Sequence, residues 1–307
     1  MKKSLFIFSV ITLTLIVSCK QNTKKDENAK LNVVATTSML TDLLQNIGGD
    51  AINLQGLMGS GVDPHLYKAS EGDVSKLFNA DVVFYNGLHL EGKLVEVFEK
   101  MEATNKKTIA VAEVLDKNML IGSDYFASNY DPHIWFNIDF WKEITVFVTS
   151  ELKKIDTKNA TVYEANSKKY MEQLNQLQQK MKTEINTLPE EKRILVTAHD
   201  AFNYFGQSFG FEVVGLQGLS TATEAGVQDV QKLAKFIIEK KVKAIFVESS
   251  VPKRTIEALQ ASVKSKGHDV AIGGTLFSDA LGNKGTVEGT YVGMFEYNVG
   301  TIVGALK

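Results

Sequence analysis

The chain is poor in several residue types that organise other proteins. It has one cysteine among 307 residues, so no disulfide can form within it and no cysteine-based zinc site can be built. It has four prolines and five histidines. It has no excess of either charge, with 34 basic against 36 acidic residues, and nothing in that balance points to a nucleic-acid partner. After the first twenty residues no second long apolar run occurs, so the body reads as soluble.

The scarce residues are not scattered. Two prolines and two histidines fall in one repeated tripeptide, Asp63-Pro64-His65 and Asp131-Pro132-His133. Proline fixes its own φ and biases the preceding residue toward extended geometry, so an imidazole that follows leaves its loop in a defined direction. The lone cysteine is also placed. Lys2 and Lys3 precede a short apolar stretch ending in Ile16-Val17-Ser18-Cys19. That stretch is too short for a comfortable membrane span and has the pattern of a secretory signal, residues 1–18. Its end resembles the bacterial lipobox, in which the cysteine is lipidated and becomes the mature N-terminus. The polar segment that follows cannot bury enough surface to fold, so residues 19–30 read as lipidated cysteine and tether.

The body alternates short β-branched runs with longer helical ones. Strands are expected at 31–35, 52–55, 82–85, 109–111, 194–197, 213–216, 244–247 and 270–272, with helical periodicity at 74–80 and 227–240. Alternation of this kind indicates α/β architecture with mainly parallel sheets and helices on their faces. Residues 156–187 contain neither glycine nor proline. Tyr163, Tyr170, Leu174, Leu177, Met181 and Ile185 recur there at helical spacing, Asp156 suits the N-cap, and Pro189 lies just beyond. A helix of that length would span roughly 45 Å and would join two Rossmann-like lobes, 31–155 and 188–307, as a stiff connector.

Four loop segments carry the candidate chemistry, around His65, His133, His199 and Asp279. Two precede the long helix and two follow it, so a site made from all four would lie in the cleft between lobes, where strand ends of open α/β sheets place ligands. Three neutral imidazoles and a carboxylate close a tetrahedral shell around a divalent cation. Each residue also has a plainer reading. His199 suits a strand end, and Asp279 suits a turn or helix cap. Asp200 either orients the His199 ring or starts the next helix. His89 and His268 read as structural.

At these segments the chain resembles the zinc- and manganese-binding solute-binding lipoproteins of bacterial ABC importers, the TroA-like or cluster A-I group. The matching stretches are Val62-Asp63-Pro64-His65-Leu66-Tyr67, Asn86-Gly87-Leu88-His89-Leu90-Glu91, Asp131-Pro132-His133-Ile134-Trp135 and Thr197-Ala198-His199-Asp200-Ala201-Phe202. Leu216-Gln217-Gly218, Phe246-Val247-Glu248-Ser249-Ser250 and Phe277-Ser278-Asp279-Ala280-Leu281-Gly282 continue the series in the same order. The resemblance implies two lobes bridged by a rigid helix, with the metal held between them by His65, His133, His199 and Asp279. It implies a lipid-anchored, monomeric, extracytoplasmic receptor of the cell envelope that hands a divalent metal to an ABC permease, and no enzyme. Manganese-selective members commonly carry glutamate where this chain has His199, and nitrogen donors favour zinc over manganese. Dedicated zinc members often insert a histidine-rich loop before the second ligand, which residues 117–130 lack. Two rival readings are a zinc-dependent hydrolase of the cell envelope, with Glu224 as its base, and an adhesin that uses metal for stability alone.

Overall fold

A computed structural model describes residues 29–307. The expectations for the leader, for Cys19 and for most of the tether lie outside the described residues.

Eight strands and nine α-helices follow one another among the described residues. In the first half, β1 (Leu31–Ala35), α1 (Ser38–Gly48), β2 (Ile52–Gly56), α2 (Glu71–Asn79), β3 (Val82–Tyr85), α3 (Val95–Ala103) and β4 (Lys107–Ala110) are followed by α4 (Ile138–Ile155) and α5 (Ala160–Ile185). The second half runs β5 (Ile194–His199), α6 (Asn203–Phe209), β6 (Glu212–Gln217), α7 (Val227–Lys240), β7 (Ala244–Glu248), α8 (Arg254–Ser265), β8 (Ala271–Leu276) and α9 (Tyr291–Leu306).

Local chemistry explains the boundaries. Thr37 caps α1 by accepting from the Leu40 amide, and Ser70 with Asp73 forms a reciprocal capping box on α2. Asn137 caps α4 through the amides of Asp139 and Phe140. Each expected strand falls on an observed one. β8 runs further than expected, because Gly273 and Gly274 interrupt its apolar pattern. A Cβ at Gly273 would lie 2.7 Å from both Ala305 Cβ and Phe246 Cε1, so the glycine lets α9 approach the strand.

All strand pairs are parallel. The first sheet has the order β2-β1-β3-β4. In the second half β5 pairs with β6 and β7 with β8, and β5 lies against β7, which gives the same order, β6-β5-β7-β8. Each lobe therefore has a switch point at the carboxyl ends of its first and third strands, where crevices form in open α/β sheets.

The long helix is shorter than expected, and Asp156 does not cap it. Asp156 ends α4, its amide donating to Leu152, while its carboxylate accepts from Tyr163 Oη at 2.6 Å and Asn159 Nδ2 at 2.7 Å. A tight turn, Thr157–Asn159, then precedes α5, whose 26 residues span about 39 Å. α5 packs on α1, α4 and α9. The largest core gathers around these helices and runs through both halves, from Leu43 and Trp141 to Phe205 and Phe295. Within it the Trp141 and Tyr291 rings stack at 5.0 Å, and Trp141 Nε1 donates to Tyr170 Oη at 3.2 Å. Smaller clusters cover the outer faces, one with Val83 and Phe98, the other with Ile237 and Ile245. No helix of the described residues is long and apolar enough to cross a membrane.

Candidate metal centre

The repeated tripeptide builds the same turn twice. Asp63 Oδ1 accepts from the His65 amide at 2.8 Å, and Asp131 Oδ1 from the His133 amide at 2.9 Å. An aspartate that caps the amide two residues on closes a compact loop, and the intervening proline stiffens it. The remaining bonds of the two aspartates differ. Asp63 Oδ2 accepts from Thr221 Oγ1 at 2.5 Å, across to the second half of the chain. Asp131 Oδ1 also lies 2.7 Å from His133 Nδ1, and its Oδ2 accepts from Asn203 Nδ2 at 3.0 Å.

His199 is the last residue of β5. Asp279 lies in the loop between β8 and α9. Asn298 brackets the start of that loop through the Phe277 amide and carbonyl, Trp135 Nε1 donates to the Ser278 carbonyl at 3.0 Å, and the Leu281 amide donates to Ser38 Oγ at 2.8 Å.

These supports bring four side chains together. One donor atom from each of His65, His133, His199 and Asp279 lies within 4.8 Å of the other three, and all four residues are buried. His65 Nε2 is 3.3 Å from His133 Nε2, and His199 Nε2 is 3.2 Å from Asp279 Oδ2. His133 Nε2 is 3.6 Å from Asp279 Oδ1, and His65 Nε2 is 4.0 Å from Asp279 Oδ2. A tetrahedron with metal–donor bonds of about 2.0–2.2 Å has edges of about 3.3–3.6 Å, close to these separations.

Carboxylates face the outer nitrogens of two of the rings. His133 Nδ1 meets Asp131, and His199 Nδ1 lies 2.6 Å from Glu248 Oε2. A ring whose Nδ1–H is held by a carboxylate presents a bare Nε2 to a metal. Burial, with the neighbouring imidazoles, pushes His65 down to about 3 against the pull of Asp279, so its ring stays neutral. Burial alone would lower His199 too, but the carboxylates of Asp279 and Glu248 outweigh it and hold the ring well above its usual range, so without metal it keeps an Nε2 proton that a bound cation would displace. Burial would likewise raise Asp279, yet His199, and after it His133 and His65, keep it below the usual carboxylate range. Both Asp279 oxygens are buried without an aligned hydrogen-bond donor among the described residues. A carboxylate buried in that way is costly unless a cation meets it; without metal the protonated His199 ring, 3.2 Å from Oδ2, is the cation beside it.

Neither reading offered for Asp200 holds. Its Oδ1 accepts from the Gly215 amide at 2.6 Å, α6 starts only at Asn203, and Glu248 takes the partner role to His199. Glu248 also accepts from the His199 amide at 2.8 Å. His89 and His268 lie outside the four-residue cluster. Glu224 is exposed and pairs with Arg254 at 2.9 Å, so it is not poised as a base.

Residues 33–305 match the family model described as zinc-uptake complex component A, periplasmic. The chain belongs to this family. It is 49% identical to the manganese-binding lipoprotein MntA of Bacillus subtilis, over 92% of both chains. It is 46% identical to the zinc-binding protein TroA of Treponema pallidum, over 89% of this chain and 88% of that one. The solved structure of the periplasmic zinc-binding protein TroA from Treponema pallidum superposes with a TM-score of 0.88, covering 91% of this chain and 99% of that one. Near-equal identity to a manganese binder and a zinc binder means that similarity within the zinc-uptake family does not select the ion. The donor set must do so.

Proposed function

We propose that this chain is the metal receptor of an ABC importer, with His65, His133, His199 and Asp279 as the ligands of a transported divalent ion. One observation carries the reading: four buried donors from both halves of the chain converge at tetrahedral spacing, two of the rings with Nδ1 held by carboxylates. Three nitrogens and one oxygen suit zinc better than manganese. Zinc is accordingly the favoured cargo, and manganese the alternative.

Four protein donors fill a tetrahedral shell. No position is left for an activated water or a substrate, which favours transport over hydrolysis. The division of the chain follows: signal peptide 1–18, lipidated Cys19 and tether to residue 30, lobes at 31–155 and 188–307, and the connecting segment 156–187. The receptor works as a monomer outside the cytoplasmic membrane, held to a bilayer through Cys19, and its partner is the membrane permease. Elemental analysis of residues 20–307 purified from native expression tests this. The expected result is close to one zinc per chain, lost in His133→Ala. An equal metal content in that variant would overturn the ligand set.

A further inference from the structure

Each lobe buries one glutamate at its switch point. In the second lobe Glu248, at the end of β7, holds His199, at the end of β5. The counterpart in the first lobe is Glu91. It is 2% exposed, and hydrogen bonds meet its carboxylate where a cation does not. Its Oε1 accepts from Thr36 Oγ1, just past β1, at 2.7 Å and from the Asn86 amide, just past β3, at 2.7 Å. Its Oε2 accepts from the Gly87 amide at 3.3 Å.

The backbone that presents these amides is strained. Gly87, Leu88 and His89 have φ of 85°, 50° and 61°, three successive residues in the left-handed region, two of them not glycine. Such a run costs free energy and persists only where its surroundings impose it. Glu91 supplies the imposing contact, because it bonds the amides at the head of the turn. The turn in turn aims Asn86, which is 1% exposed. Asn86 Nδ2 donates to the Pro132 carbonyl at 3.0 Å, inside the second Asp-Pro-His loop.

We infer that Glu91 is a positioning residue for metal capture: through the left-handed turn and Asn86 it fixes the Pro132 carbonyl, and so the direction of His133. The inference rests on the proposed ligand role of His133. It gives the buried carboxylate a task, and it explains why the lobe retains an unfavourable turn beside the site. Glu91 touches no donor atom, so its effect is on ligand geometry and on release, not on ligand count.

The test loads the full mature chain with Co²⁺, whose d–d absorption reports coordination geometry, and follows metal loss to a chelator. Glu91→Gln and Asn86→Ala are compared with Ile52→Val, a core change at the amino end of β2 in the same lobe. Both site variants are expected to bind one Co²⁺ with an altered tetrahedral band and to release it roughly 10-fold or more faster, within the range of outer-partner substitutions. The double variant is expected to be no worse than the more affected single one, since the two act in series. Ile52→Val should lower the melting temperature and leave the spectrum unchanged. Wild-type spectra and release rates in Glu91→Gln, or additive effects in the double variant, would overturn the inference. Failure of the wild-type chain to bind Co²⁺ would instead count against the proposed receptor function.

Discussion

Thr221 Oγ1 donates to Asp63 Oδ2 at 2.5 Å, joining residues 158 positions apart. The bond clasps the loop that carries His65 to the loop that follows β6, across the mouth of the site. It needs no metal. Thr221→Val should therefore loosen the closed form and speed chelator-driven metal release about 5-fold, the equivalent of about 1 kcal/mol. Thr221→Ser should restore the slow rate. Stopped-flow release from the three proteins checks both statements.

Removing any one of the proposed ligands should cost far more. His65→Ala, His133→Ala and Asp279→Ala are each expected to weaken zinc binding at least 100-fold, because each leaves an incomplete shell and a buried orphan. His89→Ala should change affinity by less than 3-fold. Zinc should raise the melting temperature of the wild type and of His89→Ala, and hardly move it in the other three, since a ligand stabilises only the state it binds.

Metal choice should depend on position 199 together with its partner. His199→Glu replaces a nitrogen donor with a hard oxygen, which favours Mn²⁺ over Zn²⁺. The same change sets a new carboxylate against Glu248, whose Oε2 lies 2.6 Å from the present ring nitrogen. The single variant should lose stability and bind both ions weakly. Adding Glu248→Gln should recover the fold and show a Zn/Mn affinity ratio lower than wild type by 10-fold or more. Competition titrations read the ratio directly.

A pH effect is expected away from the metal. Burial pushes the Asp42 carboxyl up to about 6, against the Tyr291 amide that donates to it at 3.0 Å. A carboxyl raised above its unfolded value binds its proton more tightly in the fold. It therefore favours the fold below about pH 4, and that contribution drains away as pH rises through about 6. Asp42→Asn should be more stable than wild type at pH 7.5 by about 1–3 kcal/mol, with the difference vanishing near pH 4. Denaturant melts of metal-free protein at the two pH values would show it.

The connector α5 contains no glycine or proline, and it packs on α1, α4 and α9 along its length. Large closures use a few connecting residues that absorb a dihedral change. Metal release is expected to move the loops bearing His199 and Asp279 while the lobes rotate by less than roughly 15°, smaller than a large subunit rearrangement. Paired structures with and without metal decide the matter, and a wider rotation would refute it.

The strands were legible because buried parallel strands are near-continuous β-branched runs. α4 was not. Ile144, Thr145, Val146, Val148 and Thr149 give its middle a strand-like composition, and only packing shows that Thr149 bonds Thr145 and Ser167 within a helical layer. The histidine and aspartate segments stood out through a repeated motif and through resemblance. Glu248 lay in a matching stretch, but its role was not legible, since nothing in the sequence says that the end of β7 faces the end of β5. Asp200 was attractive merely as the neighbour of His199. It lies just past β5 and turns to the Gly215 amide on the neighbouring strand instead.

The shared central core also bears on the order in which the chain can fold. Tyr291, Phe295 and Val299 of α9 form one wall of that core, against Trp141 and Tyr170 laid down far earlier. A chain made from its N-terminus delivers those residues last. Until they emerge, Leu43, Trp141 and Tyr170 lack that wall of apolar cover. Completion of the central core is thereby postponed until the last helix of the chain is available.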